Sequence, residues 1–182
     1  MTIAIVAIGV LLAFIMLTYN KLVRLNNNAK EGWSGIDVQL KRRADLVPNL
    51  VTTVKIYAKH EQQLLEEITA LRSKTRANQS MTDTSKTAAD LGNSLKKLMV
   101  VAEAYPELKA DKNFLELQQQ LSEIENYLQK SRRYYNGTVR ELNIKVESIP
   151  SNIVAKAFGF NKLEFFTISD EADRTLPELN FK

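Results

Sequence analysis

The side chains best suited to chemistry are His60-Glu61 and three further glutamates, Glu103, Glu123 and Glu125. A zinc-protease motif needs a second histidine four residues on, and His60 is the only histidine of the chain. Di-metal helical bundles need Glu-x-x-His pairs, which one histidine cannot supply. No serine or threonine has a histidine and an acid to activate it, and no Gly-rich phosphate loop is present. We therefore expect no catalytic, cofactor-binding or metal-binding residue, no small-molecule substrate and no enzyme.

A second polar set lies at helical spacing around a proline, Pro48. Two of its members are one turn apart, and an arginine precedes the first of these by three residues. The set is either a polar network that stabilises a kink at Pro48 or a docking surface for a partner. Its members are Asp37, Arg42, Arg43, Asp45 and Asn49.

The charge of the chain is modest. Its 25 basic and 21 acidic residues give a formal net charge of +4, and the two signs are interspersed. The local basic clusters, at residues 41–43 and 130–133, are typical of solvated helix faces, although either could touch anionic head groups. We expect no nucleic-acid partner.

The elements that position these side chains begin with an uncharged apolar stretch from Met1 to Tyr19. A helix of this length measures about 28 Å, close to the hydrocarbon core of a bilayer. A signal peptide would need a basic n-region and a small-residue cleavage site, and this stretch has neither. Residues 1–20 are therefore predicted to be a transmembrane anchor in the lipid bilayer.

The orientation of this anchor follows from the charges that flank it. Lys21, Arg24 and Lys30 follow the stretch, whereas only the α-amino group precedes it. The positive-inside rule then places the N-terminus outside and the larger part of the chain in the cytoplasm. The absence of cysteine agrees with a reducing compartment.

Apolar residues then recur every three or four positions, which is typical of a long amphipathic helix. We expect the anchor to continue into this helix, with a kink near residues 44–47 caused by Pro48 and an end within the polar stretch 73–83. The predicted buried positions are Leu22, Leu25, Ala29, Trp33, Ile36, Leu40, Ala44, Val47, Val51, Val54, Ala58, Leu65, Ile68 and Leu71.

Two further long helices are predicted. The second begins at an N-cap among Thr82, Asp83 and Thr84 and ends at Tyr105-Pro106. The third carries a heptad pattern until Pro150, and Ser151 is predicted to cap a short fourth helix. The heptad core positions are Phe114, Leu117, Leu121, Ile124, Leu128, Ser131, Tyr135, Thr138, Leu142, Val146 and Ile149.

The predicted fold class is all-α: an N-terminal transmembrane helix that continues into an antiparallel up-down helical bundle of long helices, with a short extended aromatic tail. The domain boundaries are 1–20 for the anchor, 21–157 for the cytoplasmic bundle and 158–182 for the tail. The tail contains several phenylalanines, which favours packing on the bundle over disorder.

Helix lengths raise the question of what covers the first helix near the anchor. A first helix from residue 20 to 76 would be about 85 Å long, whereas the second reaches back only about 32 Å. Unless the third helix or the tail folds over it, the proximal stripe has no intrachain partner and marks an interaction site. The candidate surface for self-association or for another membrane protein is Leu22, Leu25, Ala29, Trp33, Ile36 and Leu40.

Several motifs resemble the LemA family of bacterial membrane proteins, and the resemblance covers the whole chain. It implies an N-terminal anchor with its N-terminus outside, a cytoplasmic antiparallel helical bundle and no generally assigned enzymatic activity, so no catalytic residue is transferred. The motifs are YNKLV at 19–23, EGWSGIDVQLKRRADLVPNLV at 31–51, VKIYAKHE at 54–61, AEAYPELKA at 102–110, EIEN at 123–126, YYN at 134–136, AFGF at 157–160 and FF at 165–166.

Two classes of function are consistent with these observations. The first is a non-catalytic scaffold or adaptor anchored by a single pass in the bacterial inner membrane, serving envelope stress or signalling. The second is a structural protein that assembles into homo-oligomers on the inner membrane surface. The sequence does not identify a partner for either class.

Overall fold

The computed structural model describes residues 1–75 and 80–167, and all regular secondary structure within these ranges is α-helical. The helices are α1 (Thr2–Tyr57), α2 (Gln62–Thr75), α3 (Met81–Ala102), α4 (Pro106–Ala110), α5 (Lys112–Glu147) and α6 (Ser151–Ala157). The predicted all-α fold, with an apolar N-terminal helix that continues into the bundle, is confirmed. The calls on residues 76–79 and 168–182 lie outside the described residues, including the distal part of the aromatic tail.

Helix α1 is uninterrupted over 56 residues and contains Pro48 in its interior. The expectation that Pro48 does not break the helix is confirmed. The expected end near residue 76 is wrong, because α1 ends at Tyr57 and a turn at residues 58–61 leads into α2. This reversal lets Leu65 and Ile68 pack in the same core cluster as Val54, whereas a straight helix would leave them in water.

The boundaries of α3 and α4 differ from those predicted. Ser80 is the N-cap of α3, because its Oγ accepts a hydrogen bond from the Asp83 backbone N–H at 3.2 Å. The predicted caps at 82–84 are therefore wrong by two residues or more. Pro106 does not simply follow a helix end but occupies the first position of α4, where a missing N–H costs nothing.

The heptad pattern of α5 correctly predicts most of its buried face, with one exception at its end. Ile149 is 84% exposed, because α5 ends at Glu147 and the chain turns before α6. Ser151 is not an N-cap but the first residue of α6. Its hydroxyl lies 2.7 Å from the Lys145 carbonyl oxygen and 2.9 Å from that of Ser148, so it caps the end of α5.

The chain forms two compact units. Among the described residues, the first comprises residues 1–38 and 127–165, and the second comprises residues 39–75, 80–126 and 166–167. This division does not follow the predicted boundaries at 20 and 157, which stay a prediction. The core of the first unit contains Leu22, Leu25, Leu142, Val154 and Ala155; that of the second contains Val47, Leu50, Val54, Ala58, Leu65, Ile68, Leu91, Leu95, Leu98, Ala102, Leu108 and Phe114.

Residues 161–167 have no regular secondary structure and are held by side chains of α5. The Asn143 amide donates to the Leu163 carbonyl oxygen and accepts from the Leu163 N–H, both at 2.9 Å. The Tyr135 hydroxyl donates to the Glu164 carbonyl oxygen at 2.9 Å. Residues 163 and 164 of the tail are therefore held on α5 within the first unit.

Candidate functional site

The first turns of α1 form an apolar rod without intrachain cover. Thr2–Tyr57 contains an 18-residue window that is apolar enough to cross a membrane, and none of this window is buried. Its large side chains are exposed, among them Ile5, Val10 and Leu17. A core helix of a soluble protein would have these side chains covered. This contrast with the buried positions that follow in the same helix is what a membrane-spanning segment requires.

Aromatic contacts mark the end of this apolar segment. The Tyr19 ring lies 4.8 Å from the Phe158 ring and 5.9 Å from the Phe160 ring, measured between centroids. Ile15, one turn earlier in α1, packs against the core of the first unit beside Phe160. The segment after α6 therefore contacts the last turn of the apolar rod.

The stripe proposed as a partner surface is covered by the chain itself. Leu22, Leu25, Ala29, Ile36 and Leu40 are at most 2% exposed, and Trp33 is half-buried with its ring 5.8 Å from that of Tyr135. The expectation that this stripe lacks an intrachain partner is wrong. A partner would reach these side chains only after the intrachain packing had been disrupted.

The cover within the first unit comes from α5, which runs antiparallel to α1. Leu22 and Leu25 pack with Leu142, whereas Gly35 lies opposite Ser131. The 36 residues of α5 span about 54 Å, which is enough to reach back along α1 towards the anchor. The length argument left open that the third predicted helix covers the stripe, and this helix, α5, is the one that packs on it.

Glycine allows the closest approach between these two helices. A Cβ at Gly32 would lie 3.0 Å from the Tyr135 Cα and 3.1 Å from a ring carbon of Tyr134. A Cβ contact this close is tighter than most, so the backbone of α5 would have to move by a few tenths of an ångström to admit it. Gly32 thus places α1 and α5 close enough for the ring contact between Trp33 and Tyr135.

The predicted polar set is divided by burial, and only Arg43 is buried, at 1% exposure. Its Nη1 donates to Glu125 Oε2 at 3.1 Å, and its Nη2 donates to the Ala88 carbonyl oxygen at 2.7 Å. A Cβ at Gly92 would lie 3.2 Å from Nη1. Arg43 therefore connects α1 to α3 and α5 across the second unit.

The other members of the set lie nearer to solvent. Arg42, Asp45 and Asn49 are exposed, and Asp37 is half-buried. The Asn49 carbonyl oxygen accepts from the Thr53 hydroxyl at 2.9 Å. A partner-docking role for these side chains stays a prediction.

The support for the helix at Pro48 comes from a residue that the sequence argument did not single out. Proline has no N–H, so the Ala44 carbonyl oxygen, four residues earlier, loses its helical donor. Arg72 of α2 supplies the replacement, because its Nε donates to the Ala44 oxygen at 3.0 Å. Arg72 was visible in the sequence as an arginine on the predicted first helix. Its contact with Ala44 was not predictable, because the two residues are 28 positions apart and meet only after the chain reverses between α1 and α2.

Two tyrosine–carboxylate contacts tie the ends of helices together in the second unit. The Tyr57 hydroxyl donates to Asp111 Oδ2 at 2.9 Å, and this hydrogen bond raises the pKa of Tyr57. The Phe114 N–H donates to Asp111 Oδ1 and, with the Tyr57 hydroxyl, lowers the pKa of Asp111. Tyr105 donates to Glu61 at 3.2 Å, and desolvation followed by this bond raises the pKa of Tyr105.

The side chains considered first for chemistry are dispersed. His60 lies exposed in the turn before α2, and Glu61 accepts from Tyr105. Glu103 pairs with Lys109, and Glu123 accepts from Gln119. Within residues 1–75 and 80–167, no three His, Cys, Asp or Glu side chains are grouped as a metal site would need.

The second unit also carries an open groove of about 630 Å³. Its lining combines lysines from the end of α1 and the turn with apolar and hydroxyl side chains of α2. The lining residues are Val51, Lys55, Lys59, Gln62, Leu65, Glu66, Thr69, Ala70 and Ser73.

The chain is similar in sequence to several known proteins and to one family profile. The "Magnetosome protein MamQ 2" of Paramagnetospirillum magneticum is 23% identical over 192 aligned positions, which cover 91% of this chain and 71% of the relative. The MamQ protein of Magnetospirillum gryphiswaldense is 20% identical over the same shares of the two chains. "Protein LemA" of Metamycoplasma hominis is 27% identical over 83% of this chain and 69% of the relative. The profile of the LemA family matches residues 32–181, so the chain belongs to the LemA family.

Proposed function

We propose that this protein is a non-catalytic scaffold or adaptor, held at the bacterial inner membrane by a single pass through residues 1–20. The observation that carries the proposal is the exposed apolar first part of α1. The same helix continues without a break into turns that bury one face in the bundle. Membership of the LemA family supports the absence of catalysis. The names of the MamQ relatives place those proteins at magnetosomes, which supports a membrane-associated role here.

The proposed topology has the N-terminus outside and the helical bundle in the cytoplasm. Lys21 and Arg24 follow the apolar segment within two turns, and the positive-inside rule keeps such residues on the cytoplasmic side. A rigid connection between anchor and bundle would hold any partner at a set height above the bilayer, because α1 is continuous between them.

The experiment that tests anchoring and topology uses the fact that the chain has no cysteine. Cysteines are introduced singly by Thr2→Cys and Val100→Cys, and whole cells are treated with a membrane-impermeant maleimide. We expect labelling of the first variant in intact cells and of the second only after lysis, with both proteins in the carbonate-washed membrane pellet. Recovery in the soluble fraction, or labelling of the second variant in intact cells, would reject the proposal.

A self-assembling structural role is the other function class. Its predicted surface, the stripe from Leu22 to Leu40, is buried within the chain, so assembly would have to use other surfaces. Measurement of the particle mass in detergent separates the classes, since a large homogeneous particle would favour assembly and a monomer would favour the scaffold.

A further inference from the structure

The corner between α5 and α6 exposes large apolar side chains at its surface. Ile149 is 84% exposed, Ile153 is 68% exposed and Phe158 is 54% exposed. Single apolar side chains on a surface are ordinary, but three within ten residues form a group. The exposure of Ile153 is not a sign that α6 is loosely packed, because Val154 and Ala155 of α6 are buried.

The position of this corner along α1 is set by contacts within the first unit. Val154 and Ala155 pack with Leu22 and Leu25, immediately beyond the apolar segment. The Phe158 ring contacts Tyr19, which is the last residue of that segment. Phe158 of the exposed group thus contacts the end of the segment that we propose to span the bilayer.

The charge of the corner complements an anionic lipid surface. Residues 145–162 contain three lysines, Lys145, Lys156 and Lys162, and one acidic residue, Glu147. All three lysines are exposed, and Lys162 pairs with Glu147 at 2.7 Å. Apolar side chains flanked by lysines are typical of segments that lie in the interface of a membrane.

We propose that this membrane-edge corner, residues 149–160, is a second lipid-binding site that inserts into the head-group region of the same leaflet as the end of the anchor. Ile149, Ile153 and Phe158 would contact the upper acyl chains, and Lys156 would contact lipid phosphate. The proposal rests on the proposed anchoring of residues 1–20. Its consequence is that the first unit contacts the bilayer at two places, so that rotation of the bundle about α1 is restricted.

The test measures depth in the bilayer with a fluorophore on single cysteines of the full-length protein in nanodiscs. The test positions are Ile153→Cys and Phe158→Cys, each labelled with an environment-sensitive dye. Val10→Cys reports the anchor. Tyr134→Cys is the water control, because Tyr134 is exposed and lies beside Gly32, about 20 Å along α1 from Tyr19.

We expect lipids with spin labels near the head group to quench the dye at positions 153 and 158 roughly twofold or more over the control at 134, as for a segment about 5–10 Å deep. The dye at position 10 is read with lipids spin-labelled deep in the acyl chain, because this residue lies near the middle of the proposed span. Quenching at 10 by these lipids, with no quenching at 153 and 158 by the head-group lipids, would overturn the second site and leave the anchor intact. No quenching at 10 by the deep-labelled lipids would overturn the anchor and the second site together. A blue-shifted dye that lipid does not quench, and that loses its shift on dilution, would assign the corner to a second copy of the chain and reject lipid binding.

The contribution of Lys156 to lipid binding is tested by Lys156→Glu in the Ile153→Cys background. Because Lys156 is exposed, we expect the variant to stay folded. An unchanged far-ultraviolet circular dichroism spectrum would confirm that it does. We expect quenching at 153 to decrease in nanodiscs with anionic lipid and to change little in zwitterionic ones. Equal quenching of both proteins in anionic nanodiscs would remove the phosphate contact from the proposal.

Discussion

At the level of single side chains, two arginines donate hydrogen bonds to backbone carbonyl oxygens of distant segments. Arg43 is buried and donates to Glu125 and to the Ala88 carbonyl oxygen, whereas the adjacent Arg42 is exposed. Arg72 donates to the carbonyl oxygen that Pro48 leaves without a helical donor. In each case the guanidinium joins helices through a backbone oxygen, so the effect of a substitution depends on burial and not on charge alone.

Arg43→Ala is expected to lower the free energy of unfolding by about 2–3 kcal/mol, because it removes a buried guanidinium and leaves the Ala88 carbonyl oxygen without its donor. The loss of the Glu125 contact adds less, because the Glu125 side chain is 47% exposed. Arg42→Ala is the matched control, and a change within about 0.5 kcal/mol is expected for this exposed residue. Urea unfolding of both variants gives the comparison. Equal effects would show that burial of Arg43 does not determine its contribution.

A double-mutant cycle between Arg72 and Pro48 tests the replacement of the helical hydrogen bond. Arg72→Ala alone is expected to cost about 1–3 kcal/mol, because the Ala44 oxygen loses its donor. In the Pro48→Ala background the restored N–H can supply that bond, so the cost of Arg72→Ala should fall. The measurement is the unfolding free energy of the four proteins, and an additive cycle would contradict the assignment.

Asp111 gives the second unit a dependence on pH. Hydrogen bonds from the Phe114 N–H and the Tyr57 hydroxyl lower its pKa below the ordinary value of 3.8. A lowered pKa in the folded state means that the stabilisation is fully present above the unfolded pKa and is lost as the pH falls below it. Asp111→Ala should therefore lower the thermal midpoint at pH 7, and the difference from the parent protein should shrink below about pH 4.

At the level of helices, the closest packing depends on where the glycines lie. A Cβ at Gly32 would meet the backbone of α5 at 3.0 Å, whereas one at Gly137, in α5 itself, would meet nothing within 4 Å. Both glycines are inside helices, so each lowers the helix propensity by the same amount relative to alanine. Only at Gly32 does the close approach of the two helices compensate for that loss.

The pair Gly32→Ala and Gly137→Ala separates these two contributions. Gly137→Ala should raise the free energy of unfolding by up to about 1 kcal/mol through helix propensity. Gly32→Ala should lower it by about 1 kcal/mol, because overpacking costs more than the propensity gained. Chemical denaturation of both variants checks the opposite signs, and stabilisation by both changes would contradict the close approach.

The boundaries of the helices were only partly predictable. Periodicity located the buried face of α5 because the heptad runs through Leu128, Tyr135 and Leu142 without interruption. It failed at Tyr57, where the apolar spacing continues through Ala58 into α2 although the helix ends. No glycine or proline marks the turn at residues 58–61, so local preference does not predict it. The turn is stabilised by non-local contacts such as the hydrogen bond from Tyr105 to Glu61.

For the molecule as a whole, the apolar rod and the packed units differ in what stabilises them. Residues 2–13 are all exposed, so they add no intrachain packing. Leu22, nine residues further along the same helix, is fully buried in the core of the first unit. The packing contacts and the candidate membrane span therefore lie in separate parts of α1.

Deletion of residues 2–13 should leave the thermal midpoint nearly unchanged while it moves the protein from the membrane pellet to the soluble fraction. Leu22→Ala should have the reverse effect: the protein should stay in the membrane, with a loss of about 2–5 kcal/mol of stability from a fully buried leucine. Fractionation and thermal unfolding in mild detergent measure both properties. A large loss of stability on deletion would show that the rod packs against the bundle.

The sequence by itself determined the apolar N-terminal helix, the all-α class and the family motifs. These depend on local composition and on spacing within one helix, which neighbours in the fold do not change. The tertiary structure decided that the stripe from Leu22 to Leu40 is covered, that Arg43 and Arg72 donate to backbone oxygens of distant segments, and that Ile153 of α6 is exposed. Each of these depends on which distant segments meet, and that is set by the summed packing of all helices and by no single spacing.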